Sequence, residues 1–332
     1  MSTRGPRLAF VGPAWFSVVM GLCGLSLAWH QAVPLMGDAA GTASVALGGL
    51  GALVFMILAV AAGWRLIRHP LAWADDLRHP VRHHFVAALP VSLILLATVS
   101  VVLRGPDTLS RTLWWLGSLG MLGVTLWVLA RWWRPAALGG LAWPTVTPVL
   151  LLPIVGNVLV PLAGVPLGHA DWSAAQFGVG LLFWPLVLAL IATRLAVAGP
   201  WPERLRPSVF ILVSPPAVIG LSGLQLGAPL AVAWGCWGAA AFTAAWAALQ
   251  LRAIAGQAFG LAHWALSFPL AALAALTLRL SASGGAMAVA GPALLAVASL
   301  VVGALLLATV RGLRNGSLLA AEPVATLQPA VG

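Results

Sequence analysis

The sequence predicts an all-α polytopic membrane protein, ten transmembrane helices arranged as five helical hairpins around a central pore, with odd-numbered helices inside and even-numbered ones outside. Three observations predict it. The chain is 61% hydrophobic and only 7% charged, against roughly half apolar and a quarter charged in a soluble domain. Its 332 residues therefore cannot cover a water-soluble surface. Ten apolar segments each come close to the roughly 20 residues that a helix needs to cross a bilayer. Proline recurs inside alternate segments.

The segments fall near residues 13–30, 44–66, 84–102, 112–129, 147–163, 174–195, 209–226, 229–249, 263–278 and 286–310. The first follows basic residues, as a signal peptide would, but its apolar stretch is long and nine more follow, so it is expected to be retained. The organisation expected is a short tail over 1–12, one ten-helix channel domain over 13–310, and a second tail over 311–332. Loops are short, so no soluble domain is inserted.

Charge sets the orientation. The chain has no lysine, and its 17 basic residues are all arginine. Arg4, Arg7, Arg65, Arg68, Arg78, Arg82, Arg131, Arg134, Arg194, Arg204, Arg206, Arg252, Arg311 and Arg314 fall on one side of the expected topology, and Arg104, Arg111 and Arg279 on the other. By the positive-inside rule the richer side is cytoplasmic, with both termini. A net charge of +10 would suggest nucleic acid in a soluble protein, but these cations are scattered between spans, and no nucleic-acid partner is expected.

Pro90, Pro153, Pro215 with Pro216, and Pro269 lie in the third, fifth, seventh and ninth spans, 54 to 63 residues apart, the length of one hairpin. A proline within a helix removes a hydrogen bond and kinks the chain, and in lipid the freed carbonyl must face protein or water. The odd helices are thus expected inside, around something wet. Small residues such as Gly117, Gly120, Gly123, Gly220 and Gly223 would let neighbouring helices approach.

Near the kinks sit Ser92, Asn157, Ser214 and Ser267, with no charge in the middle of any odd span. Carriers driven by protons or cations place a carboxylate within the membrane. Here Asp38, Asp75, Asp76, Asp107, Asp171, Glu203 and Glu322 all fall in loops or tails. Weak neutral donors suit an anion instead, although a serine hydroxyl commonly bonds the carbonyl one turn back and is then silent. Phe16, Phe85 and Phe210 lie at comparable depths and are candidates for hydrophobic collars, with ordinary packing the alternative.

No motif calls for a cofactor. The phosphate-loop pattern needs a lysine that the chain lacks, nothing resembles a catalytic constellation, and Cys23 and Cys236 read as buried thiols. His69, His79, His83 and His84 cluster with Arg65, Arg68, Arg78 and Arg82, and those cations oppose a metal site. The group is expected to be an interfacial patch touching anionic lipid.

Five runs carry a further pattern: GPAWFSVVMGLCGLSLAW from Gly12, HPVRHHFVAALPVSL from His79, LLPIVGNVLVPLAG from Leu151, RPSVFILVSPPAVIG from Arg206 and WALSFPLAAL from Trp264. Together they resemble the slow-type anion channel family, also known as the tellurite-resistance and dicarboxylate transporter family, with its TehA-like bacterial members. The resemblance implies a homotrimer with one pore per protomer, a bacterial plasma (inner) membrane location, and a gate at Phe268, ahead of Pro269. It implies a gated channel for small monovalent anions such as chloride and nitrate. The alternative it leaves open is a transporter or exporter of C4-dicarboxylate, sulfite or a tellurite-related oxyanion. The chain departs from the pattern near Val19, where TehA-like members can carry proline.

Overall fold

A computed structural model describes residues 7–281 and 284–320, whose regular structure is helical throughout. Arg4, Glu322 and most of the expected C-terminal tail lie outside the described residues. Among the described residues, nine helices are long and apolar enough to cross a membrane: α1 (Pro13–Gln31), α2 (Asp38–Arg68), α3 (Arg82–Arg104), α4 (Thr108–Trp132), α6 (Ala170–Ala198), α7 (Glu203–Gln225), α8 (Leu230–Ala248), α9 (Leu261–Leu280) and α10 (Ala286–Arg314). The fifth expected span, α5 (Pro148–Gly164), is shorter.

The helices pair as α1/α2, α3/α4, α5/α6, α7/α8 and α9/α10, and α1, α3, α5, α7 and α9 touch one another in that order, with α9 closing back onto α1. This is a ring of five inner helices inside an outer one. In the most apolar stretch of α1, α3, α7 and α9, 67–78% of residues are buried, against 17–33% in the even-numbered helices. An outer helix hydrophobic all round and exposed on most of its surface requires lipid as its solvent.

Each hairpin is drawn together at a glycine. A Cβ would come within 3.1 Å of Cys23 Sγ at Gly51, 2.8 Å of Ile94 at Gly117, 2.6 Å of Val158 at Gly180, 3.0 Å of Cys236 at Gly220 and 2.9 Å of Leu278 at Gly291. Of the sequence-expected small residues, Gly117 and Gly220 make these seams, while Gly123 meets nothing within 4 Å.

Every inner helix has two geometries. It begins as a 3₁₀ helix (Pro13–Trp15, Arg82–Ala87, Pro148–Leu150, Glu203–Val213 and Leu261–Leu266) and then becomes α (Phe16–Gln31, Ala88–Arg104, Leu151–Val155, Ser214–Gln225 and Ser267–Leu280). Pro90, Pro153, Pro216 and Pro269 each occupy the third position of the α part. The prolines therefore start an α segment rather than kink one in its middle. A proline there has no N–H for the carbonyl four residues back, and its ring crowds that carbonyl. The upstream chain tightens to i,i+3 bonding, the 3₁₀ form.

In α5 the α part lasts only over Leu151–Val155 before reverting to 3₁₀ over Gly156–Leu159. Broken helix at membrane depth needs its carbonyls satisfied by protein, and neighbours supply the donors. Thr125 Oγ1 donates to Pro153 O (2.7 Å), Ser222 Oγ to Val158 O (2.6 Å) and Trp114 Nε1 to Val160 O (3.0 Å).

Candidate functional site

On the axis of the inner ring lies a cavity of about 80 Å³ whose wall draws on all five inner helices. That is room for about five waters. In α7 the wall residues are Leu205, Ser208, Ile211 and Ser214, then Pro215 and Val218. The first four are spaced by three because a 3₁₀ helix has three residues per turn and eclipses i with i+3. The 3₁₀ half thus presents a straight row to the cavity.

The wall reaches no further than Met20 in α1, Val91 in α3, Leu159 in α5, Val218 in α7 and Pro269 in α9. Beyond these, α1, α3, α7 and α9 run on for 11, 13, 7 and 11 residues. There the side chains pack shut: Leu22, Leu95, Leu276 and Leu280 are fully buried. The cavity thus lies among the helix halves nearer the arginine-rich ends, and its wall ends shortly past the level of Phe268.

Phe268 takes the second position of the α part of α9. The corresponding positions are Ser17 in α1, Leu152 in α5 and Pro215 in α7, all on the wall, and Leu89 in α3, which points away from it. Phe268 is the largest of the five and is buried. Its ring lies against a glycine of α1: a Cβ on Gly24 would stand 2.8 Å from Phe268 Cδ2. One turn earlier, a Cβ on Gly21 would collide with Ser267 Oγ and stand 3.0 Å from Trp264. Two glycines on one face of α1 therefore let α9 come close enough to set the ring there.

Of the sequence-expected residues, the cavity wall brings together Phe268, Pro269, Pro215, Ser214 and Phe85. Ser92, Asn157 and Ser267 are elsewhere, and their polar atoms serve packing. Ser92 Oγ donates to Ala88 O (2.7 Å), and Ser267 Oγ to Trp264 O (2.6 Å). Asn157 Nδ2 donates to Thr125 Oγ1 (2.8 Å) and its Oδ1 accepts from Gln176 Nε2 (2.8 Å), tying α5 to α4 and α6. Pro90 packs beneath Gly117 and Gly120 of α4. Pro153 and Pro216 are buried off the wall, as is Phe210. Phe16 turns outward to meet Phe55 of α2, ring centroids 5.7 Å apart.

Sequence reading did not single out Ser17, Ser208 and Gly24. The three-residue spacing of Leu205, Ser208, Ile211 and Ser214 ahead of a double proline is the signal that would have found Ser208. The polar wall is made by three hydroxyls, each engaged with its own helix. Ser17 Oγ donates to Ala14 O (2.6 Å), Ser208 Oγ to Leu205 O (2.5 Å) and Ser214 Oγ to Ile211 O (3.0 Å). No wall residue is titratable.

Of the interfacial patch expected from sequence, Arg68, Arg78 and Arg82 are exposed, while Arg65, His83 and His84 are buried and Arg65 turns to Asp76. Asp76 and Arg65 are buried, with Arg65 Nη2 2.7 Å from Asp76 Oδ2 and Arg82 Nη1 3.0 Å from Oδ1. Arg65 Nε also donates to Ala9 O (2.9 Å). This clamp fastens the segment before α1, the end of α2 and the start of α3 together. Beside it, His79 Nδ1 accepts from the backbone N–H of Val81 and Arg82, both at 3.1 Å. Burial first, then the Arg82 guanidinium, lower its pKa from the ordinary 6.5, with Asp76 opposing. Among the described residues, no group of three His, Cys, Asp or Glu is placed to hold a metal ion.

A ring of paired helices around an uncharged axial cavity, wrapped in an apolar outer ring, defines a multi-pass membrane protein of the channel and transporter class. Residues 11–310 match the family model described as voltage-dependent anion channel, SLAC1, and the chain belongs to that family. It is 27% identical over 214 residues to S-type anion channel SLAH2 of Arabidopsis thaliana, covering 62% of this chain and 39% of that one. It is 26% identical over 242 residues to SLAH3 of the same plant, covering 70% and 36%. An uncharacterized transporter of Methanocaldococcus jannaschii is 24% identical over 215 residues, covering 61% of each chain. The chain thus spans less than two thirds of the length of these relatives.

Proposed function

We propose that this protein is a gated channel that passes small monovalent anions, such as chloride and nitrate, down their gradient, with Phe268 as the plug. The observation that carries this reading is the axial cavity. Five helices converge on a wall without titratable groups, and the bulky Phe268 ring stands on that wall close to where it ends. A hydrated anion cannot pass an apolar ring without shedding water, at a cost no neighbouring group repays.

The three serines support permeation over tight binding. Their hydroxyl hydrogens are held by helix carbonyls, so an anion gains a donor only by breaking one of those bonds. Weak sites favour ions that dehydrate easily, which places chloride and nitrate ahead of divalent organic acids. In this reading each protomer of a homotrimer carries its own conduit. The arginine-rich helix ends and both termini face the cytoplasm across a bacterial plasma membrane, and cations near the mouth raise the local anion concentration.

The test is ion flux into liposomes reconstituted with the purified chain, comparing chloride, nitrate, sulfite and malate. Phe268→Ala is expected to raise chloride and nitrate flux by about tenfold or more, equivalent to ~1.4 kcal/mol off the barrier, without saturation at low concentration. Saturable, pH-coupled sulfite or malate uptake, unchanged by Phe268→Ala, would replace the channel with a carrier.

A further inference from the structure

A second cavity of about 80 Å³ lies away from the axis, at the arginine-rich ends of α6, α7 and α8. Its wall includes Trp201, Arg206, Trp246, Leu249 and Gln250. Trp246, Leu249 and Gln250 are exposed on the outer ring, so the pocket opens on the membrane-facing side near the interface.

Arg206 is the unusual member. Its Nε is buried and has no hydrogen-bond partner among the described residues. Its one carboxylate neighbour is Glu203, 4.0 Å from Nη2 with a side chain 75% exposed, too distant and too hydrated to neutralise it. Next to the pocket, the Arg194 guanidinium carbon stands 5.4 Å over the Trp201 ring, and Arg194 Nε is likewise buried and unpartnered. The Arg206 side chain is 28% exposed, but its Nε is shut off from water and unpaired, which is costly, and the wall contains no carboxylate to pair with it.

We propose that this pocket binds the phosphate group of an acidic phospholipid. Arginine matches phosphate oxygens in charge and in donor geometry. The volume suits a headgroup phosphate and not a whole lipid, while Leu249 and Trp246 give the acyl chain and the interfacial glycerol an apolar flank. Basic pockets between helices at the cytoplasmic surface are where acidic headgroups bind. Inorganic phosphate shares the chemistry, but it makes no use of the exposed tryptophan and leucine at the opening.

The experiment is native mass spectrometry of the purified chain after incubation with mixed vesicles of equal phosphatidylglycerol and phosphatidylcholine. Thermal unfolding in detergent with added inorganic phosphate or added phosphatidylglycerol runs in parallel. The wild type should retain one phosphatidylglycerol per protomer, about tenfold above phosphatidylcholine (~1.4 kcal/mol). Arg206→Gln should abolish that preference and Arg279→Gln, at the opposite helix ends, should keep it. Gln250→Glu places a negative charge at the exposed opening and should also abolish it, which covers the case in which Arg206→Gln does not fold. Equal retention of the two lipids, unchanged preference in both pocket variants, or stabilisation by inorganic phosphate as large as by phosphatidylglycerol would overturn the proposal.

Discussion

The two halves of each inner helix teach different lessons. In α3, α5, α7 and α9 the stretch before the proline is 3₁₀, and in α7 it sets Leu205, Ser208 and Ile211 on the cavity wall in an i,i+3 row. After it α3, α7 and α9 are α and bury residues such as Leu95, Leu276 and Leu280, while α5 reverts to 3₁₀ over Gly156–Leu159. In α9 the boundary falls between Leu266 and Ser267, one residue before Phe268. The change of backbone geometry thus falls within the stretch that the cavity wall covers, and Phe268 stands just after it.

The largest effect comes from loosening the clamp that holds the 3₁₀ start of α3. Asp76 is buried between Arg65 and Arg82, and removing one member of a buried ion pair costs about 3–5 kcal/mol. Asp76→Ala should therefore lower unfolding stability by that order. Hydrogen exchange should rise first in the segment before α1 and the 3₁₀ start of α3, not in the packed halves. Uniform exchange across both halves would erase the distinction.

A smaller and sharper test addresses the boundary. Gly24 leaves the space in which the Phe268 ring lies, and a methyl group there would sit 2.8 Å from it. Gly24→Ala should press the ring toward the axis and reduce anion flux roughly threefold, ~0.7 kcal/mol on the barrier. In a Phe268→Ala background the same substitution should do nothing. Equal loss in both backgrounds would show that Gly24 only packs helices.

The mildest expectation concerns pH beside the same clamp. The folded pKa of His79 is lowered, so the unfolded chain binds its proton more readily. Stability contributed by neutral His79 is complete above its unfolded pKa near 6.5 and is lost as pH falls below that value. The melting temperature should fall between pH 7.5 and pH 5, and His79→Gln should flatten that slope. A rise on acidification would contradict the sign.

The helical hairpins and the inside-outside division were legible in the sequence, because lipid enforces long apolar runs and the proline repeat marks the buried set. The resemblance pointed to Phe268, which stands on the cavity wall. The 3₁₀ halves were not legible, because most are only three to six residues long, too short for a period of three to stand out, and only the eleven-residue one of α7 carries it in Leu205, Ser208 and Ile211. Ser92, Asn157 and Ser267 stand near prolines in sequence, yet their neighbours draw them into packing. Asp76 reads as a loop charge until α2 and α3 close over it.

The most direct test of the central claim is cysteine accessibility in a background with Cys23 and Cys236 replaced. Charged, membrane-impermeant thiol reagents would be applied from either side to Ser208→Cys, on the cavity wall, alone and with Phe268→Ala. A cavity plugged at Phe268 predicts labelling from the arginine-rich side alone while the ring is present, and from both sides once it is removed. Labelling of Ser208→Cys from both sides with Phe268 intact would contradict it.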